Sequence, residues 1–404
     1  MSNPLSIPYH KPSIGQEEID EVVATLQSGW LTTGARTAQF EKEFREYVNV
    51  PHAMGVNSCT AGLHLALAAL NLGKGAEVIT TPLTFCATVN VILHVGATPV
   101  LADIGPDGNI DPASIASRIT EKTRAILPVH LAGLPADMDS IWALARRHRL
   151  HVVEDCAHAI GATYRGWPVG GGNPETGTHS DASAYSFYAT KNITTGEGGM
   201  VTSHDEALAE KMKVLCLHGI SKDAWQRYSA TGKWYYEVLE AGFKYNLSDV
   251  QSSMGIHQLR KLPSFLETRK RYAMIYNEIL ADVEEVETPP DKSDCEHAWH
   301  LYTIRLNLDK LSVNRDEFIT LLQERGIGTS VHFIPIPLHP FFVSYANLPQ
   351  NHCPEAMALY PRIISLPLYP AMSEEQVVHA ANQVKDLAHA VRKVRAFAAA
   401  GGSR

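Results

Sequence analysis

The chain has 404 residues, of which 45% are hydrophobic and 19% charged, and these values predict a globular protein large enough for two domains. Its formal net charge is −8, and no long run of lysine or arginine forms a basic stripe, which argues against nucleic acid as the main partner. The long uncharged stretch Thr81–Ala102 contains Pro82 and Pro99, so we expect no membrane span.

Two further features of the sequence indicate a cytoplasmic protein. The first residues, Met1–Pro4, lack a basic region followed by an apolar segment, so we expect no signal peptide. The six cysteines are widely spaced and include no CxxC pair. This pattern is typical of reduced thiols rather than of a disulfide framework.

In chain order, short β-rich runs alternate with helical patterns in the first part of the sequence. Helices are predicted over Ala61–Asn71 and Asp139–His148. The predicted strands are Glu77–Thr80, Pro99–Ala102, Ala125–Val129 and His151–Asp155. The alternation predicts an α/β fold whose mostly parallel sheet is covered by helices on both faces. Sites in such sheets lie beyond the carboxyl ends of the strands, and Asp155 is at one of these ends.

The later elements predict a second, smaller α+β domain. We place the boundary near Gly255, which divides the chain into a large domain with an N-terminal arm, residues 1–255, and a small C-terminal domain, residues 256–404. Before this boundary lie the predicted strand Met200–Thr202, the helix Asp205–Leu217 and the aromatic-rich loop Trp225–Tyr245. The helix Asp249–Arg271 bridges the two domains, and the small domain contains the strand Leu301–Leu306, the helix Arg315–Arg325 and the low-complexity tail Ala398–Arg404.

Lys191 is the most specific feature of the sequence. It lies in the run Ser186–Ile193, which precedes the glycine-rich turn Gly196–Gly199. Taken alone, Lys191 could be a surface lysine and Asp155 a solvated strand end. Together they supply what pyridoxal 5′-phosphate (PLP) needs, since the amine can form an imine with the aldehyde and the carboxylate can keep the pyridine nitrogen protonated. The pair therefore favours a PLP site.

The segment Asn57–Gly62 directly precedes the amphipathic helix that begins near Leu63. Small and hydroxyl-bearing residues at a helix start leave backbone N–H groups free, and the helix dipole favours an anion there. The segment could also be a plain Ser/Thr helix cap. Beside the pair of Lys191 and Asp155, a phosphate site is the better interpretation.

These motifs resemble those of the PLP-dependent nucleotide-sugar aminotransferases of the DegT/DnrJ type, which have the aspartate aminotransferase-like fold. The resemblance extends over nearly the whole chain. It is carried by the segments Gly29–Gly34, Asn57–Gly62, Pro128–Gly133, Glu154–Gly161, Ser186–Gly199, Lys244–Asn246 and Gly326–His332.

The resemblance implies a role for individual residues of this chain. Lys191 matches the lysine that binds the cofactor covalently, and Asp155 matches the partner of the pyridine nitrogen. The remaining cofactor-binding positions are Thr60, Ala61 and Ser186 around the phosphate, Phe85 stacked on the ring, His158 near the ring hydroxyl, and Asn246 reaching the phosphate from the neighbouring subunit. A homodimer with shared active sites follows. For His158, a core histidine bonded to the backbone is the alternative.

Substrate and metal contacts are less sharply defined by the sequence. His332 lies in a loop that helps bind the nucleotide sugar in this family, and Trp30 and Thr33 are candidates for nucleotide contact, with turn and packing roles as the alternative. His297 and His300 have a spacing that one helical turn would bring together. Because no HExxH motif accompanies them and the run is strand-like, we predict a structural role and no metal site.

The resemblance implies an enzyme that moves an amino group from L-glutamate to a keto group of a nucleotide-linked sugar. The pattern is closest to enzymes acting on UDP-linked 4-keto sugars of the 4-amino-4-deoxyarabinose type. A dTDP- or GDP-linked 3- or 4-keto sugar is an alternative, decided by the loops Trp225–Tyr236 and Phe333–Phe342. A non-catalytic, PLP-binding regulatory protein is a second alternative, which the presence of both Lys191 and Asp155 disfavours.

Overall fold

The computed structural model describes residues 6–221, 235–345, 348 and 353–393. The predicted loop Trp225–Tyr245 lies partly outside these residues, and the tail Ala398–Arg404 lies entirely outside them. The α-helices are α1 (Gln16–Ser28), α2 (Ala35–Val48), α3 (Cys59–Ala69), α4 (Ala87–His94), α5 (Pro112–Arg118), α6 (Met138–His148), α7 (Glu206–Cys216), α8 (Asp249–Leu280), α9 (Arg315–Glu324), α10 (Pro340–Tyr345), α11 (Pro354–Leu359) and α12 (Glu374–Ala390).

A seven-stranded sheet forms the centre of the first domain, in the order β1-β9-β8-β5-β4-β2-β3. Five adjacent strands run parallel to one another, namely β8, β5, β4, β2 and β3. Strand β9 is antiparallel to both of its neighbours, β1 and β8. The strands of the structure are β1 (His52–Val56), β2 (Glu77–Thr80), β3 (Thr98–Leu101), β4 (Thr123–Leu127), β5 (His151–Asp155), β6 (Thr163–Tyr164), β7 (Trp167–Pro168), β8 (Ala182–Ser186), β9 (Gly199–Ser203), β10 (Val286–Glu287), β11 (Cys295–Glu296), β12 (Tyr302–Leu306) and β13 (Ile363–Leu366). The predicted, mostly parallel sheet is confirmed.

Both faces of the central sheet are covered by helices. Val152 of β5 packs into the same core as Phe40 and Phe44 of α2, whereas the next residue, Val153, packs on the opposite face with Leu65 of α3. Successive side chains of a strand point to opposite faces, so a strand buried on both sides must be apolar throughout. This is why the two central residues of β5, Val152 and Val153, are both apolar.

The long helix α8 joins the central sheet to a second core. Its early residues, such as Leu262 and Phe265, belong to the core of the first domain, and Tyr272 and Tyr276 belong to the core of the second. The second core packs on the antiparallel sheet β10-β12-β13. The boundary predicted near Gly255 falls inside this continuous helix and stays a prediction.

Predicted and observed elements differ mainly at their ends. The predicted strand Ala125–Val129 instead spans Thr123–Leu127, because Pro128 has no N–H for the ladder and Val129 makes only an isolated bridge with Asp155. The bridging helix extends nine residues beyond its predicted end at Arg271, to Leu280. These additional residues carry the aromatic side chains that form the second core.

A carboxylate at the start of α8 caps the start of α2. Asp249, which is buried, accepts hydrogen bonds from the backbone amides of Gly34 (2.7 Å), Thr37 (2.9 Å) and Arg36 (3.2 Å), and from the Thr37 hydroxyl (2.7 Å). Helix α2 is preceded by Gly34, which has no side chain to cap these amides. Asp249 therefore satisfies donors that the local sequence leaves unpaired.

We expect Asp249→Ala to lower the free energy of unfolding by about 3 kcal/mol, because it leaves several buried donors without an acceptor. The measurement is chemical denaturation followed by circular dichroism. Asp282→Ala is the control, since Asp282 makes only a surface ion pair with Lys385. A loss of the same size in both variants would show that the cap is not the cause.

Candidate active site

A cleft of about 540 Å³ opens at the carboxyl ends of the parallel strands. It is bounded by the ends of β5 and β8, the start of α3, the N-terminal arm and loops of the second domain. Most of the predicted site residues line it, namely Thr60, Phe85, Asp155, His158, Ser186, Lys191 and His332. Four others, Ala61, Asn246, Trp30 and Thr33, do not line the cleft of their own chain.

Lys191 lies in the tight turn that follows β8. Its backbone amide donates to the carbonyl of Tyr188 (2.9 Å), and the Thr194 hydroxyl donates to the carbonyl of Phe187 (3.0 Å). The polar residues of the run thus hold the turn itself. Burial lowers the pKa of Lys191 to about 8, against smaller opposing effects of Cys59 and Asp155. Part of the amine is therefore neutral and nucleophilic near physiological pH.

Asp155, the last residue of β5, is buried and held by three donors. The Thr88 hydroxyl donates to Oδ2 (2.8 Å), the Ala157 amide to Oδ1 (3.1 Å), and the Cys59 thiol lies 3.9 Å from Oδ1. Burial raises the pKa of Asp155, and the hydrogen bonds and Lys191 oppose that rise. A cationic group beside this carboxylate would favour its ionised form.

The amino terminus of α3 faces the same cleft. Ser58 accepts the amide of Ala61 (3.1 Å), so a phosphate contact through Ala61 would compete with this cap. The amides of Cys59 and Thr60 precede the first intrahelical bond, and neither has a partner within the described residues. Together with the Thr60 and Ser186 hydroxyls, these amides can bind an anion.

Strand β9 packs closely against the start of α3. At Gly199, a Cβ atom would lie only 2.6 Å from the amide nitrogen of Cys59. The last glycine of the run Gly196–Gly199 therefore leaves space for the helix start that faces the cleft.

Aromatic rings form the walls of the cleft. Phe85 is 60% exposed, and its ring centroid lies 6.1 Å from that of Phe333. Phe333 in turn stacks on His158 at 5.6 Å. The Nδ1 atom of His158 accepts the amide of Ala132 (3.3 Å), which assigns the ring proton to Nε2. Burial lowers the pKa of His158 well below its usual value, so the ring is neutral.

The second domain and the N-terminal arm complete the cleft. His332 contacts the Ser365 hydroxyl (2.9 Å) and stacks on Tyr9 at 5.7 Å. Burial, with a smaller effect of Lys191, lowers the pKa of His332 to about 4. His10 donates from Nε2 to the carbonyl of Ala189 (2.9 Å), two residues before Lys191.

Several cleft residues were missed by the sequence analysis. His300 was predicted to have only a structural role, and Cys59 was considered only as one of the six reduced cysteines. For Thr88, the sequence offers one signal, since Thr84 and Thr88 are four residues apart. In the structure their hydroxyls bond to each other at 2.8 Å. Tyr9 lies in a segment without periodicity, and no local signal marks it. The additional cleft residues are Tyr9, His10, Cys59, Thr88 and His300.

Three of the predicted residues that do not line the cleft, Asn246, Thr33 and Trp30, lie next to one another. The Asn246 side chain donates to the Thr33 hydroxyl (2.8 Å), and the Trp30 indole donates to the Thr33 carbonyl (3.2 Å). None of the three is among the residues that line the cleft, so these hydrogen bonds hold them together at a separate place in the chain.

One group in the part of the chain that the structure describes has the spacing of metal ligands: His130, Glu154 and Cys156. His130 accepts the Ala136 amide at Nδ1 (3.1 Å), which assigns the proton to Nε2, and Nε2 donates to Glu154 (2.9 Å). Neither ring nitrogen keeps a free lone pair. The group is therefore a buried hydrogen-bonded pair beneath Asp155 rather than a built metal site.

The donor set of the cleft fits PLP. An amine with a lowered pKa, a carboxylate that a cation would keep ionised, a helix start with free amides and an exposed aromatic ring all line one cavity. Lys191 would hold the aldehyde carbon, Asp155 the pyridine nitrogen, and Thr60 with Ser186 the phosphate. This combination defines a PLP enzyme.

Residues 12–385 match the DegT/DnrJ/EryC1/StrS aminotransferase family, and the chain belongs to this family. Among its relatives, the spore coat polysaccharide biosynthesis protein SpsC of Bacillus subtilis is 48% identical over 383 residues, which cover 94% of this chain and 97% of that protein.

Solved structures of sugar aminotransferases share the fold. The putative sugar aminotransferase Spr1654 of Streptococcus pneumoniae, in its PMP form, has a TM-score of 0.88 and 34% identity, covering 95% of this chain and all (100%) of that one. Its PLP form has a TM-score of 0.87, 33% identity and coverage of 95% and 99%. PseC of Helicobacter pylori, an aminotransferase involved in the biosynthesis of pseudoaminic acid, has a TM-score of 0.86 and 32% identity, covering 95% and 100%.

The predicted family, the aspartate aminotransferase-like fold and the cofactor PLP are thereby confirmed, and the protein is a PLP-dependent sugar aminotransferase. No helix within the described residues combines the length and the apolar character needed to cross a bilayer. The cytoplasmic location stays a prediction.

We expect covalent uptake of PLP by the cofactor-free protein to accelerate with pH, with a midpoint near pH 8. Only the neutral amine attacks an aldehyde, and burial lowers the pKa of Lys191 to about 8, so the ammonium form slows the reaction below that pH. The measurement is stopped-flow absorbance at constant ionic strength, with Lys191→Ala as the control for noncovalent binding. A midpoint near 10.5, the ordinary value of lysine, would contradict the effect of burial.

Proposed function

We propose that the enzyme transfers the amino group of L-glutamate to a keto group of a nucleotide-linked sugar, with a UDP-linked 4-keto sugar of the 4-amino-4-deoxyarabinose type as the preferred acceptor. The observation that carries the proposal is the presence of Lys191 and Asp155 in one desolvated cleft. When bound, PLP supplies the carbonyl group that exchanges amines and a ring that withdraws electrons.

Lys191 would act as the base and acid of both half-reactions. Burial keeps its pKa near 8, so the free amine can accept a proton from the substrate carbon and return it within the same cleft. Asp155 would keep the pyridine nitrogen protonated, and Thr88 and Ala157 orient its two oxygens. The face that Lys191 reaches would determine the stereochemistry of the product.

A sugar acceptor is supported by the relatives and by the chemistry of the walls. SpsC is a spore coat polysaccharide biosynthesis protein, and PseC acts in the biosynthesis of pseudoaminic acid. The cleft presents neutral histidines and hydroxyl groups, which can hydrogen-bond to sugar hydroxyls. The preference for a UDP-linked 4-keto sugar rests on the family resemblance of the sequence, and dTDP- or GDP-linked 3- or 4-keto sugars are the alternative acceptors.

A homodimer with shared active sites is part of the proposal. Asn246, Trp30 and Thr33 lie together outside their own cleft, where a partner's cleft could receive them. The nearby helix α1 exposes Ile19, Val23 and Leu26 on one face, a stripe that a second copy would cover. In this arrangement, Asn246 reaches the phosphate of the partner's cofactor.

The test of the proposed function follows the two half-reactions separately. We expect L-glutamate to bleach the visible absorbance of the PLP-loaded enzyme, and a UDP-linked 4-keto sugar to restore it with formation of an amino sugar, which is detected by mass spectrometry. A panel of dTDP- and GDP-linked keto sugars ranks the acceptors by kcat/KM. Unchanged absorbance in L-glutamate would rule out the proposed donor.

We expect two inactive variants, Lys191→Ala and Asn246→Ala, to complement each other when they are coexpressed. A mixed dimer has one site with both residues intact, so random assembly should restore about one quarter of the wild-type activity. The control is the same pair mixed after purification under conditions that prevent subunit exchange. If coexpression restores nothing although mixed dimers form, Asn246 does not act in the partner's site.

A further inference from the structure

His300 lies on the wall of the cleft, and its ring is 4.5 Å from that of His158. We propose that His300 is a specificity-determining residue, whose Nε2 atom accepts a hydrogen bond from a hydroxyl of the sugar acceptor. The inference rests on the proposed function and adds to it a contact between one ring nitrogen and one class of substrate group.

Asn192 determines which nitrogen of His300 carries the proton. The side-chain amide of Asn192 donates to the carbonyl of Ala298 (2.9 Å), which directs its Oδ1 atom toward Nδ1 of His300 (3.2 Å). An amide oxygen can only accept, so Nδ1 of His300 is the donor in this contact. The lone pair of the imidazole is therefore on Nε2, for which the described residues provide no hydrogen-bond partner, and His300 lines the cleft.

The backbone around His300 is held rigidly. The buried guanidinium of Arg269 donates to the carbonyls of Trp299 (3.1 Å) and His300 (3.3 Å), and the amide of Leu301 donates to Ala132 (3.2 Å). Trp299 has a φ of 46°, a conformation that costs energy for a residue with a side chain. A ring fixed in this way loses little entropy when it binds a substrate.

The ring of His300 remains neutral at working pH. Burial lowers its pKa well below the usual value, and the nearby groups His158, Lys191 and Arg269 act in the same direction. Neutral His300 offers a lone pair, which attracts a hydroxyl hydrogen and repels a carboxylate. Its neighbour His158 carries its proton on Nε2, so the two rings offer one acceptor and one donor.

This difference separates the two substrates of the proposed reaction. L-Glutamate has two carboxylates, neither of which can donate to Nε2, and its one donor group, the α-ammonium, is the group that reacts with the cofactor, whereas a keto sugar has hydroxyls that can donate. We therefore expect His300 to contribute to the second half-reaction and to have little effect on the first. A residue with only a structural role would affect both half-reactions alike.

Two substitutions test the position of the acceptor atom. His300→Asn keeps a polar atom near Nδ1, where it can still contact Asn192, and His300→Gln places one near Nε2. We expect His300→Asn to lower kcat/KM for the keto sugar roughly 10-fold, while the rate of bleaching by L-glutamate stays within about twofold. His300→Gln should recover most of the loss, because its amide oxygen can accept the hydroxyl. Both variants are assayed as PLP-loaded, full-length enzyme.

A series of deoxy keto sugars gives a second measurement, in which two substrates are compared on the same enzyme. A folding defect of a variant lowers both rates and cancels in their ratio. Removing the contacted hydroxyl should cost the wild type roughly 10-fold and add nothing in His300→Asn. A parallel loss in both half-reactions, or better retention by Asn than by Gln, would overturn the inference and leave the proposed function intact. A wild-type enzyme that reacts with L-glutamate but aminates no keto sugar would overturn the proposed function.

Discussion

The burial of an amine and a carboxylate at one edge of the sheet is the constraint on which the site depends. Desolvation destabilises both charges, so it lowers the pKa of Lys191 and raises that of Asp155. A cofactor would offset both costs, because its aldehyde can react with the neutral amine of Lys191 and its cationic ring nitrogen can pair with the carboxylate of Asp155. The hydroxyl of Thr88 and the amide of Ala157 offset part of the cost of burying Asp155 before anything binds.

The sequence predicted the parts of this site that local chemistry determines. Strand β5 was predicted with its observed ends, because adjacent valines followed by an acidic pair are typical of a buried strand that ends at the edge of a parallel sheet. The turn around Lys191 was recognisable because its threonines and glycines bond to their own backbone. Cleft residues that come from distant segments could not be predicted in this way. Tyr9 and His300 approach the cleft through the N-terminal arm and the second domain, and no local pattern encodes that approach.

The division of the chain into two cores separates the cofactor groups from the proposed substrate contacts. The first domain supplies Lys191, Asp155 and the start of α3, all on elements that are fixed by the central sheet. The second supplies His332 and His300 from loops that pack against this frame. Because α8 runs unbroken from one core to the other, the loops keep their position relative to the sheet. Substitutions in these loops can therefore change the acceptor sugar without disturbing the cofactor groups.

The histidines of the cleft also follow from the need to keep Lys191 reactive. Lys191 is the one lysine or arginine among the described residues that line the cleft, beside four histidines: His10, His158, His300 and His332. Burial lowers the pKa of each of these rings, so they can orient polar groups without adding positive charge. A permanent cation in their place would depress the pKa of Lys191 further and weaken it as a base. The negative charges of the proposed nucleotide-linked acceptor would then be met by backbone amides or by groups outside this lining, such as those of the proposed second subunit.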